Sequence, residues 1–263
     1  MYGLDLIGQR HNPSPATFLL VGASLVIGVG AIWHARRAPR PLLDLSALGI
    51  PTFAAVMRGG ALTRSAIGSV PFLLPLMFQA GFHYTAFVSG LLVLAVFCGN
   101  IGIKPATTYL MRRFGFRTTL IWNGVLAAAS IFACSFLWSD TPKVIIVLVL
   151  FAGGVFRSMQ FTALSTLSFS DIPQPQMTGA STLSSTVQQL TLGLGIALGA
   201  VALRLAAFRH PDDPTTLSIG DFHLAFALIG LVALVGLYDC VSLAPEAGAE
   251  VSGHQHPGRK ASP

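Results

Sequence analysis

Long apolar runs separated by short polar stretches set the pattern of this chain. Seven runs can be read: Phe18 to His34 (run A), Phe53 to Gln79 (B), Thr85 to Ile103 (C), Thr118 to Trp138 (D), Lys143 to Phe169 (E), Thr178 to Phe208 (F) and Phe222 to Val241 (G). A membrane-spanning helix needs about 20 predominantly apolar residues, so the pattern predicts about seven spanning helices. Runs B, E and F exceed that minimum and should tilt, bend or protrude. Pro71 and Pro75 remove backbone donors within run B and should bend it. A transmembrane β-barrel would need segments of about ten residues alternating apolar and polar. Stretches such as Leu224 to Leu237 are uniformly apolar and exclude it.

Composition agrees. Of 263 residues, 53% are hydrophobic and 10% charged, with mean hydropathy +0.69. Soluble domains carry roughly 25% charged residues. So little charge cannot cover a surface in water, and most of the chain must be solvated by lipid. The net charge of +6 does not indicate nucleic acid, because the basic residues sit in clusters between apolar runs. Cys98, Cys134 and Cys240 lie inside apolar runs and read as small hydrophobes. No disulfide, metal site, nucleophile or cofactor is expected from them. Met1 to Ala16 lacks the basic start and apolar core of a signal peptide, and reads as a loop. The tail from Ala244 to Pro263 is rich in Gly, Pro and His and reads as disordered.

Basic residues near helix ends orient the chain. The A–B loop holds Arg36, Arg37 and Arg40; the C–D loop holds Lys104, Arg112, Arg113 and Arg117; the tail holds Arg259 and Lys260. The opposite side holds Arg10, Lys143 and Arg209, with Arg204 nearby. The bias places the N-terminus outside and the C-terminus in the cytoplasm.

The C–D connection, Thr107 to Arg117, reads TTYLMRRFGFR. It resembles the loop signature of the major facilitator superfamily, Gly-x-Leu-Ala-Asp-Arg-x-Gly-Arg-Arg. Leu110, Arg113, Gly115 and Arg117 match, whereas Thr108 replaces the first Gly and Arg112 the Asp. In that family the Asp joins a charge network that latches helices, so its absence puts the network in question. Asp44 in Pro41 to Leu45, the Pro71 to Gln79 segment, Phe156 to Leu164 and Ser181 to Leu190 extend the resemblance. Together they are similar to the drug:proton antiporters with fourteen spanning helices: six, two linker helices, then six. The resemblance implies an all-α integral membrane protein in which run A is a linker helix and runs B to G are the C-terminal six-helix bundle. The division expected is an extracytoplasmic loop at 1–16, linker helix at 17–34, cytoplasmic loop at 35–52, bundle at 53–243 and disordered cytoplasmic tail at 244–263. It further implies a truncated chain in a bacterial inner membrane, lacking the N-terminal six-helix bundle it would need as partner. Membrane lipids and a small-molecule substrate are the other partners implied.

Polar groups inside a bilayer are costly and tend to face a cavity or another helix. Arg64, Arg157, Gln160, Gln188 and Gln189 are therefore the candidates for the substrate path. Arg64 falls near mid-membrane, roughly 16 Å along its helix from Phe53. The motif residues Leu110, Arg112, Arg113, Gly115 and Arg117 are candidates for a conformational role. Glycines Gly193, Gly195 and Gly199 are expected to permit close packing. No Asp, Glu or His falls mid-membrane within runs A to G. A proton site would then lie in the missing half. Proton-coupled efflux of drugs or other amphipathic molecules is the leading expectation. A non-transporting fragment, scaffold or partner subunit is the alternative. An enzyme is disfavoured, because no carboxylate cluster, His pair or activated Ser stands at usable spacing.

Overall fold

A computed structural model describes residues 45–208 and 217–238, together with the isolated positions Gly30 and Trp33. Within that range the regular structure is all helical: α1 (Pro51–Leu76), α2 (Ala86–Gly102), α3 (Lys104–Phe114), α4 (Phe116–Cys134), α5 (Lys143–Ser168), α6 (Met177–Ala207) and α7 (Ile219–Val235). Short single turns, Leu45–Gly49 and Gln174–Gln176, lead into α1 and α6. Helices α1, α4, α5 and α6 are each long and apolar enough to cross a membrane. Helix α2 qualifies together with α3, from which it is bent by 51°, and α7 is a shorter apolar helix. Runs B to G thus map onto α1, α2, α4, α5, α6 and α7. Most of run A, the proposed terminal loops and the tail lie outside the described residues.

Helix boundaries follow local chemistry. Pro51 sits in the first turn of α1, where its missing donor costs nothing. Thr85 caps α2, its hydroxyl accepting from the Val88 N–H at 3.3 Å. Ser218 and Asp221 form a reciprocal capping box that starts α7 three residues earlier than hydropathy suggested. Helix α4 ends at Cys134 rather than Trp138, because Ser135 to Thr141 turn back on themselves, with the Trp138 N–H donating to the Thr141 hydroxyl. Pro71 and Pro75 lie within α1, and just beyond them the helix widens into a π-turn over Met77–Gly81.

The C–D connection is not a loop. It is α3, begun by Lys104-Pro105 and ended by Gly115. Gly115 has φ 74°, a backbone region that L side chains rarely adopt, and it reverses the chain into α4. The motif match at this Gly therefore has a conformational reason.

Helix α1 is the centre of the bundle. It contacts each of the other five spanning helices, most extensively α6, and every residue from Thr63 to Ser69 is buried. Helices α2 and α5 form the other extensive pair, while α4 lies between α5 and α7. In lipid, apolar side chains gain little by meeting one another, so helix association depends on close packing. Glycines supply it at several crossings. A Cβ at Gly154 would run into the Val96 carbonyl, with Val96 Cα at 3.0 Å, and one at Gly99 would run into the Phe151 carbonyl. At the α1–α6 contact a Cβ on Gly195 would lie 2.9 Å from the Gly68 carbonyl carbon. On Gly199 it would lie 3.2 Å from the Phe72 ring. Gly193 is half-exposed.

Gly154→Ala should therefore separate α2 from α5 and lower stability by about 3 kcal/mol, at the upper end of overpacking costs. Gly90→Ala, whose Cβ meets nothing within 4 Å, is the matched control. Thermal unfolding of the purified chain in a mild detergent should show a large drop for the first and little change for the second.

Candidate functional site

Two apolar clusters stack along the bundle. One contains Phe53, Met57, Leu120, Leu164 and Leu167; the other contains Leu73, Phe78, Ile131, Leu150 and Phe226. Polar residues mark the boundary between them: Thr63, Arg64 and Ser65 on α1, Asn123 on α4, Ser158 and Gln160 on α5, and Ser184 and Thr191 on α6. All are buried. Part of this layer ties helices together. The Ser65 hydroxyl donates to the Thr191 carbonyl at 3.1 Å, joining α1 to α6. Asn123 Nδ2 donates to Gln160 Oε1 at 2.9 Å and to the Phe156 carbonyl at 2.8 Å, joining α4 to α5.

Arg64 is 1% exposed, and none of its guanidinium nitrogens has a hydrogen-bond partner. Its position on α1 is fixed by its neighbours. Gly60, one turn before it, faces Leu164 of α5, and Ile67, one turn after it, shares a cavity lining with Arg157 of α5. Helices α1 and α5 run antiparallel, so Gln160, between Leu164 and Arg157, is level with Arg64. Gln160 is fully buried, and its Nε2 is also without a partner.

Arg157 lines a cavity of about 30 Å³ between α1, α2, α4 and α5, whose other walls include Val96, Ser130 and Leu150. Its guanidinium carbon lies 5.7 Å from the centroid of the Phe161 ring. Gln188 is half-buried and donates to the Ser184 hydroxyl on its own helix at 3.3 Å, and Gln189 is exposed. The sequence candidates thus separate into an interior group, Arg64, Arg157 and Gln160, and the two glutamines of α6 outside it.

Gln189 belongs to a second feature. Thr178, Ser181, Thr182, Ser185 and Gln189 are all exposed, and their spacing places them on one face of α6. Further along that face come exposed Leu192 and Ile196. A polar stripe on a helix long enough to span a bilayer is poorly solvated by lipid chains.

The motif residues occupy one end of the bundle. Leu110 packs against the apolar cluster of Phe53 and Leu164. Arg113 Nη1 donates to the Tyr109 hydroxyl at 2.8 Å. Arg112 is exposed and Arg117 half-buried, and both are engaged in interactions. Lys104 Nζ donates to the Thr162 hydroxyl at 3.2 Å, fastening α3 to α5, and Thr52 bonds Asp171.

Residues 6–200 match the model of the Major Facilitator Superfamily. The chain belongs to the Major Facilitator Superfamily. It is 32% identical over 208 residues to a Haemophilus influenzae protein named as a probable transport protein, HsrA, covering 79% of this chain and 44% of that one. It is 31% identical over 215 residues to MdtD of Pectobacterium atrosepticum, named as a candidate multidrug resistance protein, covering 79% of this chain and 45% of the relative. With MdtD of Pectobacterium carotovorum the identity is 29% over 247 residues, covering 89% and 51%. The chain spans about half the length of the curated relatives it matches. Membership and the apolar helices make it a multi-pass membrane protein of a transporter family.

Asn123 was not among the sequence candidates, yet it holds Gln160 in place. An amide within an apolar run was the available signal. Two substitutions probe the layer. Asn123→Leu removes a tie between helices and should cost about 1 kcal/mol. Arg64→Met removes a bare buried charge and should raise the stability of the purified chain by about 1–3 kcal/mol. Unfolding midpoints in detergent measure both, and the predicted signs are opposite.

Proposed function

We propose that this chain forms one wall of a secondary transporter that exports amphipathic small molecules, drugs among them, in exchange for protons. In this reading it works with a second six-helix bundle in a bacterial inner membrane. The observation that carries the reading is the exposed polar face of α6 from Thr178 to Gln189. The Thr182 hydroxyl bonds back to the Thr178 carbonyl, whereas the Gln189 amide on that face is better solvated by water or protein than by lipid, and a substrate path between two bundles provides both. Membership of the superfamily and the names of the HsrA and MdtD relatives support it. No Asp or Glu of the described residues lies within a helix interior, since Asp140, Asp171 and Asp221 all stand at helix ends or in loops. Proton exchange in this reading is therefore assigned to the facing bundle.

In this reading the end bearing Lys104, Arg112, Arg113 and Arg117 faces the cytoplasm. With the native cysteines replaced by serine, a membrane-impermeant thiol reagent added to intact cells should label Asp140→Cys and spare Arg113→Cys. The reverse pattern would overturn the orientation.

Vesicles containing this chain alone should show no proton-driven ethidium transport. Vesicles that also contain the N-terminal six helices of an MdtD relative should transport ethidium and lose that activity with an uncoupler. A pair that assembles stably yet never transports would instead favour a non-transporting partner subunit.

A further inference from the structure

The unmet hydrogen bonds between α1 and α5 share one chemical character. Arg64 presents Nε, Nη1 and Nη2 with no acceptor, and Gln160 presents Nε2 with none. The Gln160 carbonyl oxygen is already taken by Asn123. Arg157 adds a second guanidinium one turn along, at the wall of a cavity of about 30 Å³ whose other walls are mostly apolar and include neither Arg64 nor Gln160. No described carboxylate can serve these donors. Asp171 is taken by Thr52, Asp221 by its capping box, and Asp140 lies in the loop after α4. What the layer lacks is an acceptor carrying negative charge.

We propose that Arg64, Arg157 and the Gln160 amide form an anion site inside the bundle that takes the carboxylate of a small organic acid. A guanidinium presents its donors as a planar fork that matches a carboxylate's two oxygens. Arg64, buried and level with Gln160, supplies that fork. Gln160, held by Asn123, carries a neutral donor without a partner at the same level, and Arg157, one turn along, contributes charge. The site rests on the transport reading and adds small acids to the cargo that reading covers. Binding can be read on the purified chain without transport, so its failure would leave the transport reading standing.

The test uses acetate, with acetamide as its neutral counterpart, on the full chain in a non-ionic detergent at fixed ionic strength. Acetate should raise the unfolding midpoint saturably, and acetamide should not. Arg64→Gln should weaken the apparent acetate affinity about tenfold or more, the loss of a charge-assisted hydrogen bond. Arg64→Lys should retain part of it. Gln160→Glu is an independent check: it supplies the missing acceptor from within. That variant should melt higher than the parent without acetate and respond to acetate no further. Equal effects of acetate and acetamide, or an acetate effect that survives Arg64→Gln, would overturn the site. So would a folded parent chain that ignores acetate, even if Gln160→Glu were stabilised, because the acceptor would then have to come from another protein segment.

Discussion

Backbone meeting backbone is the constraint on which the rest of this bundle depends. Lipid tails are as apolar as leucine, so burying one leucine against another gains little in a membrane. What holds helices together is the contact they achieve when nothing stands between them. Gly154 and Gly99 bring α2 and α5 to that limit, each opposite a carbonyl of the other helix. Gly195 does the same for α6 and α1, where it stands opposite the Ser65 carbonyl. The two most extensive helix pairings in the structure are these two. Around them α4 and α7 are seated on side chains instead, with Gly230 beneath the ring of Phe132.

A bundle locked at such crossings can hold polar groups at defined depth. The buried layer sits between two apolar clusters, and within it partners are shared unevenly. Ser65, Thr191 and Asn123 are consumed in joining helices, whereas Arg64 is joined to nothing. Packing fixes where the guanidinium stands without satisfying it. That division separates residues that hold the architecture from a residue whose partner must come from outside the described helices.

Much of this was legible from the order of residues. Helix positions followed from hydropathy, because a spanning segment must be apolar along nearly its whole length. Arg64 stood out for the same reason, as a charge inside such a segment. The α3 helix was misread as a loop because Lys104, Arg112 and Arg113 break the apolar pattern, while its helicity comes from Pro105 at the start and Gly115 at the end. Asn123 passed unnoticed because a single amide barely lowers the hydropathy of its run. The meeting of Gly99 with Phe151, and the common level of Arg64 and Gln160, could not be read at all. Each depends on which helices become neighbours and in what direction, and a lone helical pattern carries no such information. Gln188 and Gln189 are adjacent in sequence yet differ in exposure, which follows from the 100° turn between successive residues.

The buried arginines also have an electrical meaning. A guanidinium stays charged at any physiological pH, and Arg64 has no described counter-charge beside it. Moving one elementary charge through the full membrane potential involves about 2.3 kcal/mol per 100 mV. A rocking motion that shifts this layer along the membrane normal therefore carries current, even when the cargo is neutral. A carboxylate seated beside Arg64, as proposed, would cancel that current. The same residue would then set how strongly the voltage across the membrane drives the empty and loaded bundles, and would drive them differently.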